Sequence, residues 1–161
     1  MSIKNKLEYI ILAIIIFIGL VVRLYKINSP LADWHSWRQA DTASVTRNYV
    51  NLGLNLLYPK YHDISSIQTG YFNREGLRLV EFPVFNLFHF LLVKALPNIS
   101  FDSLGRLTSV IFSVFSSFFL FFIGKRYLGK WGGLLSSFLF LFIPFNIYFS
   151  RVVLPEPLCV F

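Results

Sequence analysis

The sequence predicts an all-α integral membrane protein with about three transmembrane helices and a large extracytoplasmic first loop that carries juxtamembrane helices. Of its 161 residues, 55% are hydrophobic and only 14% are charged, whereas a soluble domain has about a quarter charged residues. The mean hydropathy is +0.60. Uncharged runs long enough to cross a hydrocarbon core of about 30 Å lie between basic residues. We therefore expect one membrane domain over 1–161.

The composition also excludes other classes of protein. The 19 Phe and 8 Tyr make the chain too apolar for intrinsic disorder, and Cys159, the single cysteine, cannot form an intrachain disulfide. A net charge of +7 is compatible with nucleic acid, with an anionic membrane surface, or with the cytoplasmic loops of a membrane protein. The distribution of the charges along the chain decides among these partners.

Three apolar runs predict the spans, at about 8–25, 104–124 and 131–149. At about 1.5 Å of rise per residue, runs of about 18 to 20 residues cross the bilayer core. The first run ends at Arg23, whose long side chain can extend to the interface. A cleaved signal peptide is the alternative for this run, although no small-residue cleavage site follows it.

The positions of the basic residues predict the orientation. Lys125, Arg126 and Lys130 lie between the second and third runs with no acidic residue among them, and Lys4 and Lys6 lie near the N-terminus. Cytoplasmic segments of membrane proteins carry an excess of Lys and Arg. We therefore expect both the N-terminus and this turn on the cytoplasmic side, which makes the charge a sign of topology rather than of nucleic-acid binding.

The expected position of the short apolar stretch 82–96 follows from this orientation. Two cytoplasmic ends need an even number of crossings, which the first two runs supply. Asn86 and His89 share one helix face, which suits a helix lying in the interface with a polar stripe towards water. The loop 26–103 and the segment 150–161 are then extracytoplasmic. If 82–96 crosses instead, the segment 150–161 is cytoplasmic.

The first loop contains most of the acidic residues and is too long to be a simple connector. Ser36 and Gln39 fit a capping box, which predicts a helix over about 37–51 that stops near Gly53. Residues 54–79 read as irregular, because Pro, Gly and Ser punctuate them, and they include a turn at Asn73-Arg74-Glu75-Gly76.

Arg38 and Asp41 are three apart on the predicted helix and share a face. The alternative to a functional role is an intrahelical ion pair worth a few tenths of a kcal/mol. Arg151 and Glu156 stand at the exit of the third run, where Pro155 and Pro157 argue against a regular helix through Glu156. Either Arg151 lies at a lipid headgroup, or both side chains face a pocket shared with the acids of the first loop.

Several ordered stretches of the chain resemble one known family, the membrane-embedded glycosyltransferases of the GT-C fold, in the branch of the protein mannosyltransferases and aminoarabinose transferases. The resemblance covers nearly the whole chain as the N-terminal part of such an enzyme. It is carried by Arg23-Leu24-Tyr25, Asp33-Trp34-His35-Ser36-Trp37-Arg38-Gln39-Ala40-Asp41-Thr42-Ala43, Arg47-Asn48-Tyr49, Glu81-Phe82-Pro83-Val84, Gly105-Arg106-Leu107, Gly124-Lys125-Arg126-Tyr127-Leu128-Gly129, Tyr148-Phe149-Ser150-Arg151 and Pro155-Glu156.

The resemblance implies inverting transfer of a sugar from a polyprenyl-phosphate donor to an acceptor hydroxyl of a glycan, lipid or protein on the extracytoplasmic face. The catalytic candidates it implies are Asp41 as first choice, Asp33 as second, and Glu156 as the acid after the third span. The Asp-Glu pair usual in the first loop of the family is missing here, which leaves the choice between Asp41 and Asp33 open.

The resemblance also implies residues that bind the donor. Arginine pairs bidentately with phosphate, and Arg38, Arg106 and Arg151 are the candidates. Glu81 precedes the family's proline motif, and with His35 it is the candidate ligand set for a divalent metal ion. The expected location is a bacterial inner membrane, with the bilayer and the polyprenyl-phosphate-linked sugar as partners and no nucleic acid.

Enzymes of this family carry further spans, so the chain is expected to be an N-terminal fragment that is inactive alone. The alternative function is a non-catalytic membrane subunit, or an inactive fragment, that binds a partner through the first loop. A transporter would place ionisable residues near mid-membrane, and none lies between Arg106 and Lys125 or between Lys130 and Arg151.

Overall fold

The computed structural model describes residues 3–31, 33, 35–65 and 70–160, without the side chains of 3–6 and 160. Over this part of the chain the protein is α-helical, and its one β feature is an isolated antiparallel bridge between Lys60 and Leu77. Trp34 of the motif that carries the resemblance lies outside the described residues. The helices are α1 (Ile3–Arg23), α2 (Ser36–Leu52), α3 (Val84–Ala95), α4 (Phe101–Phe142), α5 (Pro144–Phe149) and α6 (Glu156–Val160).

One helix in the described part of the chain, α4, is long and apolar enough to cross a membrane. It contains non-helical backbone at Gly129 and ends at Phe142. The run predicted as a continuous span over 131–149 is therefore interrupted, because Ile143 is extended and Pro144 starts a new helix. Helix α3 has 12 residues, about 18 Å at 1.5 Å per residue, which is too short to cross the core.

The chain forms two compact units. The first comprises residues 1–27, 109–152 and 156–161, and the second comprises 28–108 and 153–155.

In the first unit, the two halves of α4 fold back on each other at Gly129, whose φ of 72° lies in the left-handed region. A Cβ on Gly133 would lie 2.6 Å from the carbonyl oxygen of Phe121, and one on Gly124 would lie 2.9 Å from that of Gly132. These pairs match an antiparallel hairpin whose backbones touch because glycine leaves room. Leu12 of α1 packs against the hairpin with Phe121 and Leu134.

Polar side chains satisfy the carbonyl groups released where α4 ends. Pro144 has no N–H for the carbonyl of Phe140, and the Asn146 side-chain amide donates to that oxygen instead. Arg23 donates to the Leu141 carbonyl at 2.9 Å and to Ser150 Oγ at 2.7 Å. Arg23 is 0% exposed, so the expectation that its side chain extends to the interface is wrong.

In the second unit, two buried polar side chains of α3 bond its neighbours, one on α2 and the other at the start of α4. Asn86 Nδ2 donates to the Thr42 carbonyl at 2.6 Å and to Thr46 Oγ1 at 3.0 Å, and His89 Nε2 lies 3.0 Å from the Phe101 carbonyl. Both side chains are buried. The polar stripe expected to face water therefore faces protein, where acceptors offset the cost of its burial.

The predicted helix of the first loop begins differently and ends as expected. The capping box is wrong: His35, in the left-handed region at φ 58°, is the N-cap, and Ser36 is the first helical residue. The stop near Gly53 is confirmed, since the Gly53 N–H bonds the Tyr49 carbonyl at 3.2 Å.

Residues 54–79 and the segment around Glu156 were both expected to be irregular, and only the first expectation is confirmed. The described residues of 54–79 form no helix, and the turn at 73–76 is confirmed by a 3.0 Å bond from the Gly76 N–H to the Asn73 carbonyl. A helix does run through Glu156, however, because Pro157 falls in the first turn of α6, where its missing N–H has no partner to lose.

Candidate functional site

One face of α2 forms a wall of a cavity of about 560 Å³ within the second unit. Positions 40–41, 43–44 and 47 recur at the helical period and so share that face. The opposite side comes from the irregular segment after α2, and the start of α4 contributes an acid. The lining residues are Leu31, Ala40, Asp41, Ala43, Ser44, Arg47, His62, Asp63 and Asp102.

Asp41, the first-choice catalytic acid, lies in this wall. Arg78 Nη1 donates to its Oδ2 at 3.1 Å, and the Asp41 side chain is 27% exposed. Burial raises the pKa of the Asp41 carboxyl above its usual value, the Arg78 guanidinium opposes that rise, and the nearby Asp63 carboxylate adds to it. The carboxylate is therefore oriented by one cation and open to the cavity.

Arg78 is a site residue that sequence reasoning missed. Its side chain is 12% exposed, and its guanidinium also lies 4.0 Å from Glu81 Oε1. One arginine thus joins Asp41 to the acid of the Glu-Phe-Pro motif. The available signal was its position three residues before Glu81, but the contact with Asp41 spans 37 residues of sequence and no local pattern predicts it.

The remaining polar groups of the cavity were also not assigned from sequence. The Arg47 guanidinium lies 5.1 Å from the ring centroid of Phe101, a cation–π arrangement that orients it. His62 Nε2 lies 3.1 Å from Asn48 Oδ1. Asp63 accepts a 2.7 Å hydrogen bond from the Ser65 N–H, and this bond lowers the pKa of the Asp63 carboxyl.

Asp33, the second-choice base, and Arg106, a candidate phosphate ligand, are partners of each other. Arg106 Nη1 and Nη2 both lie 3.3 Å from Asp33 Oδ2, and Gln39 Nε2 donates to Asp33 Oδ1 at 2.6 Å. The Arg106 guanidinium also donates to the carbonyls of Ser29 and Pro30 and is 1% exposed. These contacts hold the start of the first loop, and neither residue lines the cavity described above.

The other candidates of the second unit lie apart from the cavity wall. Arg38 is half-buried on α2, and His35 is exposed at its N-cap. Among the residues that the structure describes, no three His, Cys, Asp or Glu side chains form a group that could hold a metal ion. The metal ion that the resemblance implies for Glu81 and His35 thus stays an expectation.

Arg151 and Glu156 belong to the first unit. Arg151 Nη1 donates to the Tyr25 carbonyl at 2.5 Å, and its guanidinium lies 6.0 Å from the ring centroids of Tyr25 and Tyr148. Glu156 is exposed and lines a cavity of about 160 Å³ together with Asn146. A pocket that these two residues share with Asp41 stays a prediction.

Comparison of the chain with protein-family models, with curated proteins and with solved structures gave no match.

Proposed function

We propose that the protein is a membrane glycosyltransferase that moves a sugar from a polyprenyl-phosphate donor to an acceptor hydroxyl on the extracytoplasmic face. The observation that supports this best is the position of Asp41. Its carboxylate lines a cavity of about 560 Å³ and is oriented by Arg78, as a general base beside a polar substrate requires.

In the proposed reaction the acceptor hydroxyl lies within about 2.6 to 3.2 Å of the Asp41 carboxylate. Its oxygen attacks the anomeric carbon from the side opposite the phosphate, while its proton passes to Asp41. The bond between the anomeric carbon and the phosphate oxygen breaks, and that electron pair leaves on the polyprenyl phosphate. The new glycosidic bond therefore has the inverted configuration.

Arg47 is the arginine that lines the same cavity, and we assign it to the donor phosphate. It stands six residues from Asp41 on α2, about 9 Å at the helical rise. That separation leaves room for an attacking oxygen and an anomeric carbon between base and phosphate. The carboxylates of Asp63 and Asp102, which also line the cavity, can accept hydrogen bonds from sugar hydroxyls.

The membrane setting is part of the proposal. Helix α4 is compatible with membrane insertion by its length and composition. Three spans, a cytoplasmic N-terminus and a bacterial inner membrane follow from the basic residues and from the resemblance. Under this topology the first loop, including Asp41, faces the side on which polyprenyl-linked sugars are used as donors.

The test is sugar transfer by the full-length protein in membranes, with a polyprenyl-phosphate sugar as donor. Asp41→Asn keeps the size of the side chain but cannot accept the proton, and we expect transfer to fall by about 10²- to 10⁴-fold. Glu75→Gln is the matched control, because Glu75 is exposed and pairs only with Lys60, at 3.5 Å, among the described ion pairs. Unchanged turnover in Asp41→Asn would contradict the proposal, and partner binding without transfer by the wild type would favour a non-catalytic subunit.

A further inference from the structure

We infer that Arg78 is a positioning residue for the reaction, one that fixes the Asp41 carboxylate at the cavity wall and joins it to Glu81 as one charged group. The inference rests on the function proposed above. It assigns a role to a residue that stands behind Asp41, since Arg78 is not among the described residues that line the cavity.

The backbone around Arg78 is fixed by a short antiparallel pairing. The Arg78 N–H bonds the Pro59 carbonyl at 2.8 Å, and the Tyr61 N–H bonds the Gly76 carbonyl at 2.8 Å. The side chain of Asn73 closes the turn that precedes Arg78, because it bonds the Leu77 N–H at 2.8 Å and the Leu77 carbonyl at 3.0 Å. These hydrogen bonds fix the backbone position of Arg78, although the segment around it is irregular.

Contacts with one aromatic ring and two carboxylates also fix the side chain of Arg78. Its guanidinium lies 5.6 Å from the ring centroid of Tyr61, which leaves its N–H groups directed towards the two acids. It contacts Asp41 Oδ2 at 3.1 Å and Glu81 Oε1 at 4.0 Å. Because the bond to Asp41 uses Oδ2, the second oxygen is the one offered to an acceptor hydroxyl.

The charges around Asp41 make Arg78 important for its ionisation. Burial and Asp63 both raise the pKa of the Asp41 carboxyl, and Arg78 is the group that opposes them. The other titratable or charged groups at this cavity are Arg47, His62 and Asp102, and Glu81 faces Asp41 through Arg78. Without the guanidinium, the Asp41 carboxyl would keep its proton to a higher pH, so a smaller share of the protein would hold Asp41 as an ionised base.

The test compares Arg78→Gln and Arg78→Lys in the full-length protein, with sugar transfer measured across pH. We expect Arg78→Gln to lower kcat about tenfold with little change in the donor KM, since the step affected is proton transfer. We expect the acid limb of its pH profile to move up by about one unit. Arg78→Lys keeps the charge and should recover most of the activity and the original limb.

Arg74→Gln is the matched control, because Arg74 is exposed, lies in the same segment and stacks near Phe72 at 6.0 Å.

A second measurement is the infrared titration of the Asp41 carboxyl band. This band is identified by its loss in Asp41→Asn, and its titration reports the ionisation of Asp41 without sugar transfer. If Arg78→Gln leaves both the pH profile and this titration unchanged, the inference is wrong and the proposed function stands. If the wild type transfers no sugar, the proposed function itself fails.

Should Arg78→Gln not fold, Glu81→Gln tests the same group from its other end. Removing the Glu81 charge frees Arg78 for Asp41 alone, so we expect the acid limb to move to lower pH. An acid limb that stays in place in Glu81→Gln would overturn the joint action of the two acids.

Discussion

At the residue scale, His89 illustrates how burial sets protonation in this protein. Its side chain is 0% exposed, and Nε2 lies 3.0 Å from the Phe101 carbonyl, which fits a neutral ring with the proton on that nitrogen. Burial lowers the pKa of His89 from its usual 6.5 to about 4, and the bond to Phe101 offsets part of the fall. His89 is therefore neutral in the folded protein near pH 7.

This shift predicts a pH dependence of stability. Between pH 6.5 and about 4 the unfolded chain binds a proton at His89 that the folded protein does not. The free energy of unfolding should therefore fall as the pH falls through this window, by about 3 kcal/mol in all. Unfolding of the solubilised protein at several pH values measures it, and His89→Gln should remove this part of the slope. Equal slopes in the two proteins would contradict the assignment.

Some residues of the candidate site could be predicted from the sequence, and others could not. The position of Asp41 on α2 was predictable, because it stands in an ordered motif on a helix that local sequence signals predict. Arg78 and His62 were not, because both come from an irregular segment and reach Asp41 or Ser44 by contacts between distant residues. The contact between Asp33 and Arg106 was not predictable either, since 73 residues separate them.

At the scale of elements, the docking of α3 on α2 depends on Asn86. Its side chain is 6% exposed and makes two hydrogen bonds to α2. Asn86→Ala removes both, and leaving Thr46 Oγ1 without its donor in a buried site adds to the loss. We expect about 1 to 3 kcal/mol of destabilisation, measured as a lower midpoint of thermal unfolding. Asn98→Ala is the control, because Asn98 is exposed, and it should change the midpoint little. Equal shifts of the midpoint in the two variants would refute the docking role of Asn86.

Helix bounds were predictable where a single residue decides them and not where tertiary contacts do. Gly53 ends α2 because glycine accepts the φ of 101° found there. The start of α2 was misjudged because Gln39, expected to close a capping box, instead bonds Asp33 and the Val153 N–H, the latter at 3.1 Å. The interruption at Ile143 was not predicted, because it is stabilised by a hydrogen bond from Arg23 to the Leu141 carbonyl, and these two residues are 118 apart in sequence.

At the scale of the whole molecule, the apolar runs predicted a helical fold, which the described residues confirm. Large apolar side chains remain exposed along α1 and α4, among them Phe17, Phe115 and Phe118. Such surfaces are typical of contact with lipid or with further helices. The described residues contain one helix that could cross a membrane, so topology must be determined independently of length and hydropathy.

Reporter fusions test the orientation directly. A reporter placed after Leu128 should give a cytoplasmic signal, because Lys125 and Lys130 flank that site. A reporter after Pro157 should give an extracytoplasmic signal. A cytoplasmic signal at the second site would contradict the three-span topology and the predicted pocket that Glu156 shares with Asp41.

The hairpin at Gly129 has a consequence for the order of folding. The hairpin brings Gly133 against the carbonyl of Phe121, a short separation along the chain, whereas the second unit must join Gln39 to Val153 across 114 residues. Chains close short loops before long ones, because distant contacts carry a larger entropic cost. We therefore expect the hairpin to form as a nucleus, while the hydrogen bond that ties Gln39 of α2 to Val153 forms only after residue 153 has been synthesised.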